Sequence, residues 1–556
     1  MVPTLAHPQP QYATATATHD VTNQPPPLAP YDASEDAALW EGLRREGAEW
    51  AEKGVRRLGL VAGGAEAQEW AGQANRYEPE LRTHDRYGNR IDEVDFHPAW
   101  HHLMRTAVRE GLAGAAWADD RPGAHVARIA GALVWGHTEA GHTCPTSMTY
   151  AVVPALRRQP ELAAVYEPLL TGREYDPVLR VPTEKPGLLA GMGMTEKQGG
   201  SDVRANTTTA TPSSEPGVYT LRGHKWFTSA PMCDLFLVLA QAPGGLSCFL
   251  VPRVLPDGSR NSFRIQRLKD KLGNRSNASS EPEFDGTVAW RVGPEGQGVK
   301  TIIEMVNCTR LDCVMGSAAL MRRTLVEAGH HARHRSAFGA RLLDQPLMRN
   351  VLADLALESE AATTLTLRLA GAADRAVRGD EGERRFRRIA TAVGKYWVTK
   401  RGPAFAAEAL ECLGGNGYVE DSGMPRHYRE APLLSIWEGS GNVNALDVLR
   451  ALTHDPETAE ALFAELALAR GADARLDAAA ARLKDAVREA DQTGARRLVE
   501  LMALVLQASL LVRHAPAAVA DAFCATRLGG DWGHAYGTLP GSADLDGILR
   551  RALPAG

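Results

Sequence analysis

Between about residues 187 and 292 the hydrophobic spacing of this chain changes period, and that change limits the fold more than any other feature. From about 35 to 180, apolar side chains recur every three or four positions, as in AALWEGLRREGAEWAEKGVRRLG and HPAWHHLMRTAVREGLAG, the pattern of amphipathic helices. The later runs GVYTLRGHKWFTSAP, LFLVLAQ, LSCFLVPR and FRIQRLKDKLG are short, alternating or wholly apolar, and punctuated by Gly, Pro and Asp. They read as strands. After GPEGQG (293–298) helical spacing returns and continues almost to the end. A helical, β, helical order predicts an α+β fold with a sheet or barrel domain inserted between helical ones. The expected units are an N-terminal arm (1–34), a helical domain (35–186), a β domain (187–295), a helical bundle (296–452) and an extra helical domain (453–556).

With 556 residues the chain exceeds one ordinary core. It is 44% hydrophobic and 23% charged with a net charge of -5, which excludes a basic nucleic-acid coat and an acidic disordered chain. Seven cysteines, odd in number and without a CxxC pair, fit a reducing compartment and neither a disulfide framework nor a zinc knuckle. The first residues carry no basic segment followed by an apolar one. The strongest apolar run, Leu501 to Val512, is too short to span a bilayer. A cytoplasmic protein with no membrane partner is expected.

Four stretches could carry chemistry. In MTEKQGGSDV (194–203) a Gly-Gly-Ser turn after a strand can turn backbone N–H groups towards an anion. In HKWFTSAP (224–231) Trp226 beside Thr228 and Ser229 could offer a flat wall and hydroxyls to an aromatic cofactor. Arg335 of RSAFG could clamp phosphate. In SIWEGSGN (435–442) Glu438 stands just before a helix start, which favours its anion, while burial against Trp437 would raise its pKa; those opposing effects suit a general base. Each stretch alone also has a plain structural reading: a turn, a core tryptophan, a helix-end arginine, a capping glutamate. The histidines of HPAWHH and HHARH lack carboxylate or cysteine partners at ligand spacing, and no metal is expected.

Together, MTEKQGGSD, KWFTS, RxxFG and LGGNGY…REAPLLSIWEG resemble, in order and spacing, the acyl-CoA dehydrogenase flavoprotein family. THDVTNQPPPL, FHPAWHHLM, RLKDKLGNRSNASSE and SIWEGSGN resemble the branch of it tied to the DNA alkylation-damage response, from residue 18 to about 454. The resemblance implies an FAD enzyme oxidising an acyl-CoA-like thioester, possessing a helical, β, helical fold and a homotetrameric, dimer-of-dimers assembly, with electron-transfer flavoprotein as a partner. It implies that Met194, Thr195 and Gly200 meet the flavin, that Ser201 reaches the pyrophosphate, and that Trp226, Thr228 and Ser229 lie against the ring. Arg335 and Phe338 would contact a neighbouring subunit's flavin. Gly414, Gly415 and Gly417 would let backbone approach the adenosine. Ile436, Trp437, Gly439, Ser440 and Asn442 would close over the flavin, with Trp437 and Arg310 also at the substrate. Glu438 would be the catalytic base. Some relatives place that base just before the arginine matched by Arg310, where this chain has Thr309.

Glu411, Pro346 and Asn307 depart from the family pattern at positions that bear on coenzyme A more than on flavin. The extension beyond 450 implies, through the same resemblance, double-stranded DNA binding. Residues 451–556 hold eleven Lys/Arg against fourteen Asp/Glu, a net -3, where a phosphate-binding domain usually has a surplus of cations. The DNA candidates are Arg450, a face formed by Arg482, Lys484 and Arg488, and Arg496, Arg497 and Arg513. The competing readings are a dedicated dehydrogenase of an unusual thioester without DNA binding, a scaffold with an inert flavin, and a flavin oxidase or monooxygenase.

Overall fold

The computed structural model describes residues 18–554; the first half of the expected arm lies outside them. Residues 18–34 run without regular structure along the end of the 37-residue helix Gly298–His334. There Asn23 pairs with the backbone of Ser336, donating at 2.8 Å and accepting at 2.8 Å, and His330 Nε2 donates to the Pro26 carbonyl at 2.8 Å.

Helices from Ala37–Arg45 to Pro160–Leu170 follow. The expectation that this region is wholly helical fails at one place: Glu80–His84 and Arg90–Asp95 pair as an antiparallel hairpin. Asp85 Oδ1 accepts from the N–H groups of Tyr87 (2.8 Å) and Asn89 (2.9 Å), and Gly88 supplies φ +85°, so this turn chemistry overrides helix formation.

The sheet begins at Ala190–Gly193. Leu235–Ala242, Thr209–Pro212, Val218–His224, Ser279–Val292 and Gly245–Pro252 pair in that order, and Gly245–Pro252 returns to Leu235–Ala242, so five strands close into a barrel. Phe263–Leu268 and the short Thr228–Ser229 add to Ser279–Val292. Val218–His224 turns Tyr219 and Leu221 inward and Thr220 and Arg222 outward, the alternation its sequence shows.

The long helices Gly298–His334, Pro346–Val377 and Glu381–Glu411 pack on one another and bury most of their apolar side chains. Arg128 joins the N-terminal helices to them through a two-pronged bond to Asp312 (2.8 and 2.7 Å), both side chains buried. The region after Pro456 folds back on these helices: Asp354 accepts from Arg527 (2.5 Å), Trp532 Nε1 (3.0 Å) and the Gly537 N–H (2.9 Å), and Arg551 pairs with Glu360 and Glu41. Leu501–Val512 falls within Ala495–His514, a helix packed in the core. No described helix is long and apolar enough to cross a membrane.

Candidate active site

Glu438 sits between two helices, Met424–Ile436 and Gly441–His454. Its φ is +57° and that of Gly439 is +96°, so two successive left-handed residues reverse the chain. A glutamate in that region is strained and persists only where its surroundings hold it. Three side chains do so. Arg310 Nε donates to the Glu438 carbonyl at 3.2 Å, and both Lys395 Nζ (2.7 Å) and Asn444 Nδ2 (2.6 Å) donate to the Gly439 carbonyl. Arg310 is itself fixed by Asp447 at 2.6 Å, which Arg388 also meets at 3.0 Å. Arg310 therefore positions the loop through Nε and Nη1.

The Glu438 carboxylate turns inward, where Oε2 accepts from the Thr309 hydroxyl at 2.6 Å. Burial pushes its pKa above the ordinary glutamate value, and Thr309, Lys395 and Arg310 pull against that shift without cancelling it. The residue as a whole is half-buried.

Cys144 connects this glutamate to the barrel. Cys144 is within hydrogen-bonding reach of Ser229 and close enough to Glu438 for their charges to interact; burial lifts its thiol to about 12. It thus links the helical and sheet sides of one site. The Thr228 hydroxyl oxygen is buried with no partner, as is Trp437 Nε1. The Trp226 N–H donates to the Thr195 carbonyl at 2.8 Å, tying the two sheet motifs together. A Cβ on Gly200 would lie 2.3 Å from Thr195 Oγ1, so only glycine allows the turn to fold against Thr195. Ser201 is exposed at its tip, and Met194 is half-buried. Lys269 Nζ stands 3.3 Å from the centre of the Trp226 ring, on one of its faces.

One buried pair was not legible as a site residue. Lys225 and Glu196 meet at 2.8 Å, and Glu196 also accepts from the N–H groups of Thr207 and Thr208. Burial alone would raise the Glu196 pKa, but Lys225 and those bonds hold it well below the carboxylate range. The pair rivets the MTE turn to the barrel. The signal, a charged residue beside each motif, was present in TEK and HKW.

Other predicted residues lie elsewhere. Thr309 and Arg335 are 26 residues apart along one helix, about 39 Å at 1.5 Å per residue, so Arg335 cannot touch a ring beside Glu438 of its own chain. Phe338 is wholly exposed with φ +52° at the tip of the hairpin Ser336–Ala337 with Ala340–Arg341. Gly414 has φ +59° and, like Gly415, open space at its Cβ position, whereas a Cβ on Gly417 would collide with the Leu410 carbonyl. Gly417 is required by its close approach to the end of helix Glu381–Glu411. Ser440 is exposed on the loop, and Ile436 and Asn442 are exposed on the helices that flank it. The histidines of HPAWHH are engaged: His97 caps Pro98–Arg109, His101 bonds Tyr175 at 2.8 Å, and His102 stacks on Trp70.

Arg450, Lys484, Arg488, Arg496 and Arg497 are exposed. Arg482 does not share a face with Lys484: two residues turn a helix by about 200°, and Arg482 points to the Leu528 carbonyl. Arg513 is paired with Glu465 at 2.7 Å.

Three family domains match in succession: the adaptive response protein AidB N-terminal domain over 23–177, and the acyl-CoA dehydrogenase middle and C-terminal domains over 191–287 and 296–453. AidB of Escherichia coli (strain K12) is 46% identical over 517 residues, 92% of this chain and 94% of that protein. The chain belongs to the acyl-CoA dehydrogenase family, in its AidB branch. It is an FAD-dependent oxidoreductase of the acyl-CoA dehydrogenase type. Acyl-CoA dehydrogenase family member 11 of Caenorhabditis elegans is 31% identical over 70% of this chain and 65% of its own length. Among solved structures, Bd2924 in its apo-form superposes with TM-score 0.82 at 29% identity, over 89% of this chain and 100% of that one. Caenorhabditis elegans ACDH-11 in complex with C11-CoA superposes with TM-score 0.81 at 25% identity, over 98% and 96%. The residues present fit the family's FAD: the Thr228 hydroxyl and the Trp437 N–H are left without partners, and a glycine turn folds against Thr195.

Proposed function

We propose that this AidB-branch flavoprotein oxidises an acyl thioester, with Glu438 as the base that takes the proton from the carbon alpha to the carbonyl. The observation that carries the reading is the inward Glu438 carboxylate, held by Thr309 and near Cys144, which meets Ser229 of the barrel. Bound FAD supplies the hydride acceptor. Met194, Thr195, Gly200, Trp226, Thr228 and Ser229 would form its wall, with Ser201 near its phosphates. Ile436, Trp437, Gly439, Ser440 and Asn442 would form its lid. Glu438 receives the proton on Oε1, the oxygen that Thr309 leaves free. The C11-CoA held by the similar ACDH-11 supports an acyl-CoA substrate, and electron-transfer flavoprotein would take the electrons onward.

The separation of about 39 Å between Thr309 and Arg335 supports a site completed by a second copy, in a homotetramer built as a dimer of dimers. There Arg335, Phe338, Gly414 and Gly415 would serve the neighbour's flavin. Likeness to AidB supports double-stranded DNA binding in the alkylation response, through the exposed Arg450, Lys484, Arg488, Arg496 and Arg497. The net -3 of residues 451–556 favours a second reading, a dehydrogenase that leaves DNA alone.

Two assays separate these readings. Acyl-CoA thioesters added without oxygen should bleach the flavin of the purified yellow protein. A colourless protein that rejects FAD would end both enzymatic readings. A DNA gel shift should weaken steeply as salt rises; no shift even at low ionic strength would leave only the dehydrogenase.

A further inference from the structure

Near Glu438 stands a group of polar side chains that proton abstraction does not use. Cys144, in the first turn of helix Thr143–Leu156, is its hub. The thiol comes within hydrogen-bonding reach of Ser229 and of Asn277, and it stands close enough to Glu438 and to Lys271 for electrostatic coupling. Ser229 lies opposite Ser279 in the sheet with their hydroxyls 3.4 Å apart, and Lys271 Nζ donates to the Ser279 hydroxyl at 3.2 Å. A second donation from Lys271 goes to the Asn277 carbonyl. Gly141 lets the chain before the helix close on this loop. A Cβ there would collide with the Ser276 hydroxyl and sit 3.0 Å from the Asn277 nitrogen.

Two of these side chains are out of keeping with a finished core. Asn277 is wholly buried, yet neither its amide nitrogen nor its amide oxygen has a nitrogen or oxygen partner among the described residues. Buried amides are nearly always satisfied, and the Cys144 thiol is a weak donor and acceptor. Lys271 is the other. Buried Lys185 and Lys225 each meet a carboxylate, Asp234 at 2.7 Å and Glu196 at 2.8 Å. Lys271 bonds a carbonyl and a hydroxyl instead, which leaves one of its three N–H groups over. Glu430 and Glu78 act on it from further away, and the Glu430 carboxyl, raised to about 7, is only partly ionised at neutral pH. A plain hydrocarbon tail laid beside these groups would strand them.

We propose that Lys271 is a specificity-determining residue, and that the acyl group oxidised beside Glu438 ends in a carboxylate which Lys271 and the Asn277 amide receive. The inference rests on Glu438 as the base and names the substrate class, the thioester of a short dicarboxylic acid. One tail oxygen accepts from the free Lys271 N–H and the other from the Asn277 amide, charge-assisted bonds of the stronger kind. Cys144 and Ser229 line the stretch between that end and the reacting carbons. The alpha proton passes to Glu438 and the beta hydride to the flavin, while the tail carboxylate is carried unchanged into the product.

The test is calorimetric binding to the FAD-loaded E438Q variant, in which the base reading predicts no turnover. Glutaryl-, adipyl- and suberyl-CoA are compared with pentanoyl-, hexanoyl- and octanoyl-CoA, which match them in carbon number and lack the terminal carboxylate. At pH 7 at least one dicarboxylic thioester should bind about tenfold more tightly than its match. Burial lowers the Lys271 pKa to about 8, and the groups that act on it are Cys144, Glu430 and Glu78. The Cys144 thiol, at about 12, stays neutral in that range. The preference should therefore fade as pH rises through 8 and Lys271 loses its charge. K271Q should abolish the preference and K271R should keep most of it, whereas a lysine that only braces its loop would leave the ratio unmoved. The pH series needs no substitution at Lys271, so it decides the matter even where K271Q folds poorly. Equal affinities at pH 7 would overturn the proposal. So would a preference that survives K271Q or persists undiminished to pH 9. Bleaching by E438Q would count against the base instead, and the affinity ratios would still decide the role of Lys271.

Discussion

Thr309 and Glu438 stand 129 residues apart in sequence and share a 2.6 Å hydrogen bond. The glutamate was legible because a carboxylate between Trp437 and Gly439 matched a family motif. The threonine was legible only as a position that cannot supply a base; its bond to Glu438 exists only once the helices pack. That bond favours the ionised carboxylate, whereas burial opposes it. Proton abstraction needs the anion, so bleaching should fall on acidification through a midpoint above the ordinary glutamate value of about 4.3. T309V removes a bond that favours the anion, so its midpoint should move to higher pH in a pH profile of the bleaching rate; an unmoved midpoint would mean that the contact is incidental. Glu430 gives a second pH signature. Its carboxyl is raised from 4.5 to about 7, so the stability of its protonated form is fully present below the unfolded value and is lost as pH rises through 7. E430Q should therefore exceed the parent in stability at pH 8 by roughly 3 kcal/mol and match it at pH 4, in denaturant melts at each pH.

At the scale of elements, period and punctuation revealed the most. The long helices start where the pattern resumes after GPEGQG, and Pro346 opens the second of them. The hairpin at 80–95 was missed because its strands are half-exposed and polar and only the Asp85–Gly88 turn marks it. Close approaches between elements leave no trace in periodicity. Gly273 is one such position, with the sheet-domain loop resting on the helix that leads to Glu438. G273A would place a methyl group against a backbone oxygen that cannot swing aside. Thermal unfolding should show a loss of about 1–3 kcal/mol, together with weaker FAD retention; an unchanged melting temperature would show that the loop moves freely.

Over the whole molecule, the helical, β, helical order and its family were both legible, because four motifs had to coincide. How the extension after Pro456 docks was not. Its attachment runs through Asp354 to Arg527, Glu360 to Arg551 and Glu465 to Arg368, pairs whose members lie between 97 and 191 residues apart. The proposed assembly also belongs to this scale. Phe338 touches nothing in its own chain, being wholly exposed, so F338D should leave the chain folded by circular dichroism. It should nevertheless lower both the tetramer fraction in size-exclusion chromatography and the flavin bound per chain. A tetramer fully loaded with flavin would contradict the shared site.

The proposed chemistry turns on one acid. Anaerobic titration of the E438Q variant with an acyl-CoA that bleaches the parent protein tests its role most directly, with the T309E/E438Q double variant alongside. E438Q is expected to keep its FAD and not to bleach, and the double variant to recover part of the bleaching, because position 309 opens on the same carboxylate site. Full bleaching by E438Q with FAD bound would contradict that role.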